Sequence, residues 1–367
     1  MRASLLSLSL PLLLLLFLAG CSPRPAAAPE GAPRRQVRDT LGRQVELPQE
    51  IRRVACIGAG ALRLFCYIGD PSLLCGVEAC EKGFLFSFRP YQEAHKELFQ
   101  RLPVIGAGGP AGTVDPEALL ARQPDVIFST FYSFPGEMEK LQRDTGIPVV
   151  VLHYGDTEAF DPMVEQSLTL LGEVLQEEQR AGEVVACIRA LQQELQERTE
   201  GLAPEEQPRV YLGCHSHFGL QGFGSSRAGY SLFQALRVRN VLDAQGEGGY
   251  RKLELETVLA LNPQVVFLDQ GGWPLFLEEY RRTPRLFQAM EAFQNRRVHL
   301  LMPYNAYYTN LEIAYLDALL LGKILYPQRF QDVDLEERGR ELFLFLLQTD
   351  QVKVPWPPQE PPLPELP

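Results

Sequence analysis

The chain has few cysteines for its length and no concentrated run of positive charge. Seven cysteines in 367 residues do not form the dense framework of a small disulfide-stabilised protein. Lysine and arginine total 35 against 46 aspartates and glutamates, which gives a formal charge of −11. Because phosphate backbones are bound by a local excess of lysine and arginine, this balance argues against a nucleic-acid partner.

Motifs for nucleotide binding and catalysis are also missing. There is no GxGxxG, no P-loop, no GxSxG elbow and no HExxH, and no His/Asp/Glu set has the spacing of metal ligands. We therefore predict a protein that is not an enzyme, has no catalytic residues, no metal ligands and no cofactor, and binds its ligand without catalysis. A hydrolase or metalloenzyme is the alternative from another functional class.

The amino terminus has the features of an export signal. Arg2 precedes an apolar block from Leu5 to Leu18, which only approaches the length of a membrane-spanning helix. The ending Leu18-Ala19-Gly20-Cys21 resembles the bacterial lipobox, which implies cleavage before Cys21 and a diacylglycerol on its thiol. A plain signal peptide with an incidental cysteine is the alternative. We expect residues 1–20 to be removed, residues 21–36 to be a flexible tether, and the protein to be exported and lipid-anchored to the cell membrane, facing the periplasm or the cell exterior.

Two segments of the mature chain match each other at equal spacing. Pro116–Phe128 and Leu255–Phe267 each begin a short helix at a glutamate, reach a proline seven residues later, and continue into an apolar strand. The two glutamates, Glu117 and Glu256, are 139 residues apart. This repetition indicates two lobes built on one plan.

The remaining pattern alternates strands and helices, which is typical of an α/β fold with parallel sheets. We predict strands at 53–57, 73–77, 126–130, 148–153, 209–214, 265–269 and 297–302, and helices near 61–68 and 136–145. The predicted architecture is two lobes, each a mainly parallel sheet flanked by helices. Their expected bounds are 37–156 and 207–347.

A helical connector at 157–206 is predicted between the lobes. Its second helix, starting near Glu177, carries Val184, Ile188, Leu191 and Leu195 at near-helical spacing and would span roughly 35 Å. The last 17 residues contain seven prolines, so we predict a disordered tail at 348–367.

This arrangement resembles the class III substrate-binding proteins of ABC importers, the Fe/B12-type periplasmic-binding domain. The resemblance covers about residues 37–345, with that domain at about 52–331, and is carried by segments in a matching order: Asp39–Arg43, Pro103–Gly106, Pro303–Asn310, Asp317–Leu319 and Leu325–Phe330. It implies a monomer that delivers a small-molecule metal chelate to a permease and its ATPase. The implied ligand is an iron complex such as a ferric siderophore, with corrinoid, haem or molybdate and tungstate as alternatives.

The resemblance also implies that one acidic residue on each lobe docks to the permease. Glu117 and Glu256 are the matching positions. The alternative is a purely local role, because a glutamate in the first turn of a helix is favoured by about 0.3–1 kcal/mol through the helix dipole.

Ligands of open α/β sheets bind beyond the carboxyl ends of the strands. The loops expected there supply aromatic walls and a few cations, which suit a large anionic chelate. The ligand-binding candidates are Arg63, Arg89, Tyr91, Tyr132, His215, Arg227, Tyr250, Arg251, Trp273, Tyr304 and Tyr308. For the four arginines the alternative is that each pairs with a nearby carboxylate, such as Glu247 for Arg251.

The histidines and cysteines indicate neither a metal site nor a disulfide framework clearly. His215 and His217 lie two residues apart, but two imidazoles alone do not define a metal site. Cys56, Cys75 and Cys214 fall in predicted strands, and we expect them to be small buried side chains, with disulfides permitted but not required.

Overall fold

The computed structural model describes residues 33–83, 88–109, 114–156, 158–217, 219–246, 248–358 and 361–363 of the chain. Cys21 and the predicted leader lie outside the described residues, as does Glu247. None of the helices in the described ranges combines the length and the apolar character that a bilayer crossing requires.

The chain alternates strands and helices in the order that the sequence predicts. The strands are β1 (Arg34–Arg38), β2 (Gln44–Pro48), β3 (Val54–Ile57), β4 (Val126–Ser129), β5 (Val149–Val151), β6 (Arg209–Gly213), β7 (Ser225–Ala228), β8 (Arg239–Asn240), β9 (Gly249–Lys252), β10 (Val265–Asp269) and β11 (Val298–Leu301). The helices are α1 (Ala61–Ile68), α2 (Pro90–Ala94), α3 (Lys96–Arg101), α4 (Pro116–Arg122), α5 (Pro135–Thr145), α6 (Pro162–Leu175), α7 (Glu178–Arg198), α8 (Ser231–Ala235), α9 (Leu255–Leu261), α10 (Trp273–Arg282), α11 (Pro284–Gln288), α12 (Glu291–Gln294), α13 (Leu311–Leu325) and α14 (Leu335–Leu347).

The first lobe is built on a parallel sheet in the order β3-β4-β5. All residues of these three strands are buried, which is why they read as unbroken apolar runs rather than alternating ones. The second lobe is built on a parallel sheet in the order β11-β10-β6-β8. Antiparallel pairs β1-β2 and β7-β9 complete the described strands. The predicted two-lobed α/β fold is confirmed.

The strand predicted at 73–77 is not formed. Leu74 makes an isolated parallel bridge with Val54, and Val77 makes another with Val104. A 3-10 turn at Pro71–Leu73, capped by the Asp70 side chain, directly precedes Leu74. Because the pairing partner changes within three residues, no continuous ladder develops.

The two matched segments have the same local geometry. The helices α4 and α9 end before Gln123 and Asn262, which have φ values of 47° and 43°. A proline follows each of these left-handed residues and prevents the helix from continuing into β4 or β10. The caps at the other end differ, because Asp115 accepts a hydrogen bond from the Ala118 backbone while Glu254 makes no side-chain cap.

The connector contains α6 and α7, and the second of these is about 32 Å long. The side chains predicted to form its apolar stripe, including Val184, Ile188 and Leu195, are buried. Helix α7 packs against α1 of the first lobe and against α13, which follows the last strand of the second lobe. The helix predicted from the spacing is therefore present, while the lobe boundaries at 156 and 207 stay predictions.

The tail differs in part from the disorder expected of it. Its described residues form no helix or strand, in keeping with their proline content. Val352 is buried, and Val354 and Trp356 pack against the main apolar core. Gly339 of α14 leaves the space for this contact, since an added Cβ would lie 2.7 Å from a Val354 methyl group.

Candidate functional site

A cleft of about 1690 Å³ is lined by loops of both lobes. The loops after β3, β4 and β5 supply one side, and the loops after β6 and β11 supply the other. Parallel strands present their carboxyl ends at one edge of a sheet, so the cleft lies where the fold places a ligand.

Five of the predicted ligand-binding residues line the cleft. They are Arg89, Tyr132, Arg227, Tyr250 and Tyr308. Two of the tyrosines are stacked on histidines, with ring centroids 3.7 Å apart for Tyr132 and His153 and 3.9 Å apart for Tyr250 and His217. Paired aromatic rings of this kind form flat, rigid walls that carry polar edges.

The other six predicted residues lie elsewhere, and four of them are packing residues. Tyr91 is buried and its hydroxyl donates to Glu81 over 2.8 Å. Trp273 packs against Phe276 in the core of the second lobe, and Tyr304 is buried beside Tyr230.

The fourth packing residue is His215, which is 4% exposed, and burial with the nearby Arg227 charge lowers its pKa to about 3. Arg251 donates to the Tyr250 carbonyl over 3.0 Å and is not among the described lining residues. These five residues were expected to face the ligand and do not line the cleft. Side chains near the end of a strand can also point into the protein core beneath the cleft.

Arg63 is the sixth, and it is buried rather than free to hold an anion. Its guanidinium is 0% exposed and reaches from α1 into the loop before α13. Nη2 donates to the Ala306 carbonyl over 2.7 Å, Nη1 donates to the Tyr307 and Thr309 carbonyls over 3.0 and 3.1 Å, and Nε donates to Asn310 Oδ1 over 3.0 Å. Arg63 therefore holds the loop at 306–310, part of the cleft wall, from the buried side of that loop.

The loop that Arg63 holds is strained and lines the cleft. Tyr307 and Tyr308 have φ values of 59° and 64°, a region that costs non-glycine residues on the order of 1–3 kcal/mol. Asn310 Nδ2 adds a hydrogen bond of 2.8 Å to the Tyr304 carbonyl, and Asn305 pairs with Thr309. These contacts hold two consecutive tyrosines in position before any ligand arrives.

Glu78 joins the same loop to the first lobe. Its Oε2 accepts a hydrogen bond of 3.0 Å from the Tyr307 hydroxyl, and its Oε1 accepts one of 3.1 Å from the Gly58 backbone. The Tyr307 hydroxyl in turn accepts from the Gly109 backbone over 3.0 Å. Burial raises the pKa of Glu78 to about 7.

Among the described residues, two arginines line the cleft, and both are paired with carboxylates. Arg89 Nη1 lies 2.7 Å from Glu81, in a pair whose side chains are 1% and 2% exposed. Arg227 forms an ion pair with Glu158, which also lines the cleft. Burial raises the pKa of each of these two carboxyl groups, and the partner arginine opposes that rise.

The three carboxylates Glu78, Glu81 and Glu158 were not predicted from the sequence. Acidic residues are seldom buried unless they are paired, so their types and spacing alone gave no signal. For Arg227 the carboxylate-pair alternative is what the structure contains.

The described residues show neither a metal-binding cluster nor a disulfide bond. They include no cluster of three or more His, Cys, Asp or Glu side chains that could hold a metal ion. The six cysteines after Cys21 are free thiols, and Cys56, Cys75 and Cys214 are buried as expected.

Two parallel-sheet lobes, a long connecting helix and a cleft between the lobes define a class III substrate-binding protein of ABC importers. The chain belongs to the periplasmic binding protein family (Peripla_BP_2), which matches residues 91–304.

The similarity to individual relatives covers most of the chain. It is 26% identical to the molybdate-binding protein MolA of Haemophilus influenzae over 327 residues, covering 84% of this chain and 90% of that protein. The structure of MolA bound to molybdate superimposes with a TM-score of 0.69 at 23% identity, covering 87% of this chain and all of that one. The TroA-like periplasmic binding protein FepB from Veillonella parvula gives a TM-score of 0.64 at 19% identity, covering 87% and 98%.

Replacing Arg63 by methionine tests its role in holding the loop. We expect a loss of about 3 kcal/mol or more in the free energy of unfolding, because several buried acceptors lose their donors at once. Urea denaturation measures this loss. Arg52→Met is the matched control, since Arg52 is 78% exposed and its pair with Glu50 is worth at most about 1 kcal/mol. A loss at Arg63 no larger than at Arg52 would contradict the assignment.

Glu78 predicts a specific dependence of stability on pH. Its pKa is raised in the folded state, so its contribution is full below the ordinary value of 4.5 and is lost as the pH rises through about 7. The difference in unfolding free energy between wild type and Glu78→Gln should therefore fall between pH 4.5 and 7.5 and then level off. Unfolding curves across this range measure it, with the exposed Glu117→Gln as control. Parallel curves for wild type and Glu78→Gln would refute the prediction.

Proposed function

We propose that the protein binds a tetrahedral oxyanion of the molybdate and tungstate type in the cleft and passes it to the permease of an ABC importer. The observation that carries this proposal is the similarity to MolA along 84% of the chain. No catalytic step is proposed, since release to the permease needs only complementarity and docking. The protein would be exported and held at the membrane by a lipid on Cys21.

Hydrogen-bond donors on the second-lobe side of the cleft support the binding of an anion. Arg227 and His217 line this side of the cleft and can offer N–H donors, whereas the hydroxyl of the neighbouring Ser216 donates to Asp269 over 3.0 Å. Arg227 lies near enough to His217 to lower its pKa, in addition to the effect of burial. A bound anion would reverse that effect and be held by donors of both side chains.

A ferric chelate is the second candidate, and the size of the cleft favours it. A volume of about 1690 Å³ exceeds the roughly 300–1,000 Å³ typical of small-molecule pockets. Phe134, which is 54% exposed, lies on the lining beside Tyr132 and would suit the apolar rim of a siderophore. The similarity to MolA weighs more, so the iron complex implied by the family resemblance takes second place to the oxyanion.

Isothermal titration calorimetry of the mature protein separates the two candidates. Molybdate and tungstate should bind alike and at least a hundredfold more tightly than a ferric triscatecholate. Arg227→Gln should weaken the binding of molybdate by about tenfold or more, or roughly 1.4 kcal/mol, and increasingly so at low salt. Arg251→Gln is the matched control because Arg251 is not among the described lining residues. Tight binding of the ferric complex without binding of molybdate would establish the second candidate instead.

The docking role of Glu117 and Glu256 is a separate proposal. Both are exposed in the first turns of α4 and α9, at equivalent points of the two matched segments. Replacing both by alanine should abolish ligand uptake by cells and leave the affinity for free ligand unchanged.

Glu97→Ala with Glu278→Ala is the control for docking, since both are exposed glutamates on other helices. Uptake at the wild-type level in the Glu117/Glu256 variant, or loss of affinity for free ligand, would reject the docking role.

A further inference from the structure

We propose that Glu78 is a positioning residue of the cleft, which takes up a proton from the solvent when an anion binds and thereby frees the Tyr307 hydroxyl to donate to that anion. The proposal rests on the proposed function, because it concerns the oxyanion that the same cleft accepts. It makes the affinity for the ligand depend on pH through a buried carboxylate behind the wall of the cleft.

Glu78 lies directly behind two segments that line the cleft. Its Oε2 accepts a hydrogen bond of 3.0 Å from the hydroxyl of Tyr307, which is a lining residue. Its Oε1 accepts a hydrogen bond of 3.1 Å from the backbone of Gly58, and the next residue, Ala59, also lines the cleft. Glu78 itself is 4% exposed. The carboxylate therefore contacts the cleft wall from the buried side.

The Tyr307 hydroxyl has one proton and two lone pairs to place. Its oxygen accepts a hydrogen bond of 3.0 Å from the backbone of Gly109, another residue that lines the cleft. An ionised Glu78 can only accept, so the Tyr307 proton is directed to the carboxylate. In this state the hydroxyl has no proton to offer a ligand.

Protonation of Glu78 reverses the direction of this hydrogen bond. A neutral carboxyl group can donate as well as accept, so it donates to the Tyr307 oxygen. That oxygen then accepts from both Glu78 and Gly109, and its own proton becomes available. The Cys80 side chain contacts the same hydroxyl, but sulfur is a weak acceptor and an oxyanion is a strong one. We therefore expect the freed proton to be donated to a bound anion.

The charges around Glu78 determine the sign of this linkage. Burial raises the pKa of Glu78 to about 7, and the nearby Glu81 charge adds to the rise. The hydrogen bonds from Gly58 and Tyr307 and the charge of Arg89 oppose it. A bound anion adds negative charge and raises the pKa of Glu78 further, which favours the protonated form. Because the complex then holds more protons than the free protein, the affinity falls as the pH rises.

Other titratable groups face Glu78 or the cleft and have to be separated from it. The groups that act on Glu78 from neighbouring segments are Cys56, Cys80, Glu81, Arg89 and Tyr307. Those that line the cleft and would also respond to an anion include Asp156, Glu158, Asp161 and His217. All of these groups are retained in Glu78→Gln, so a comparison of wild type with this variant isolates the contribution of Glu78.

Calorimetric titration with molybdate in buffers of different ionisation enthalpy measures the uptake of protons directly. Molybdate stays a dianion from pH 6.5 to pH 9, so a change of affinity across this range comes from the protein. With a pKa of about 7 in the free protein, a tenfold preference of the anion for protonated Glu78 gives an uptake of about half a proton at pH 7.5. The same preference weakens the binding of molybdate by about sevenfold between pH 6.5 and pH 9.

Glu78→Gln imitates the protonated form at every pH. Its amide nitrogen can donate to the Tyr307 oxygen, and its amide oxygen can still accept from Gly58. The variant should therefore lose the half proton of uptake and bind molybdate about tenfold more tightly than wild type at pH 9, with nearly equal affinity at pH 6.5. Glu97→Gln is the matched control, since Glu97 is exposed on α3, and it should behave like wild type.

Tyr307→Phe separates the role of the hydroxyl from a structural one, and it serves as the test if Glu78→Gln does not fold. At pH 6.5 the variant should bind molybdate about tenfold more weakly than wild type, because a donor to the anion is lost. At pH 9 the two proteins should bind nearly alike, because the wild-type hydroxyl is then donating to Glu78. An equal loss of affinity at both pH values would show a structural role and overturn the inference.

The outcomes distinguish this inference from the proposed function. Binding of molybdate by wild type without proton uptake, or with the same uptake in Glu78→Gln, overturns the inference and leaves the function standing. Proton uptake that depends on Glu78 when a ferric triscatecholate binds, with no binding of molybdate, rejects the function and supports the inference. Absence of binding of both ligands rejects both.

Discussion

The buried guanidinium of Arg63 is the contact on which the cleft depends. It comes from α1 of the first lobe and ends among the backbone carbonyls of the loop before α13, with no exposed surface. Burying a positive charge is costly unless all its donors are used, and here the protein supplies acceptors at Nε and at both terminal nitrogens. That loop can adopt left-handed tyrosines at 307 and 308 because its neighbouring carbonyls are held in this way.

The loop at 304–310, which the buried Arg63 holds, also forms part of the wall of the cleft. Glu78 anchors Tyr307 from the first lobe, and Tyr307 and Tyr308 both line the cleft. A preformed wall reduces the ordering that a ligand must otherwise induce, which is a general source of affinity. Among the described residues, the arginines that line the cleft, Arg89 and Arg227, are already paired with carboxylates.

Much of the fold could be predicted from the sequence, because parallel strands buried on both faces and helices with apolar stripes leave strong patterns. Helix α1 has the predicted bounds, and the matched segments at Glu117 and Glu256 form equivalent helix-to-strand connections. The segment at 73–77 was predicted wrongly, since apolar composition does not reveal that its pairing partner changes from Val54 to Val104.

The site was less predictable than the fold. Strand-end loops were placed correctly, but whether a side chain there faces the cleft or the core depends on contacts made across the lobes. Arg63 lies in the first turn of α1, just after a strand-end loop where a ligand-binding arginine could also lie. Its partners lie some 245 residues further along the chain, at Ala306 to Asn310. Nothing local to its own segment distinguishes the two roles.

Diffraction from crystals grown with tungstate tests the central claim most directly, because the anomalous signal of tungsten locates the anion without reference to the protein. We expect one strong tungsten site in the cleft, between the Arg227 and His217 side and the Tyr132 and Tyr308 side, with the loop at 304–310 unchanged. A tungsten peak outside the cleft, or a cleft loop rebuilt around the anion with the Arg63 contacts broken, would contradict it.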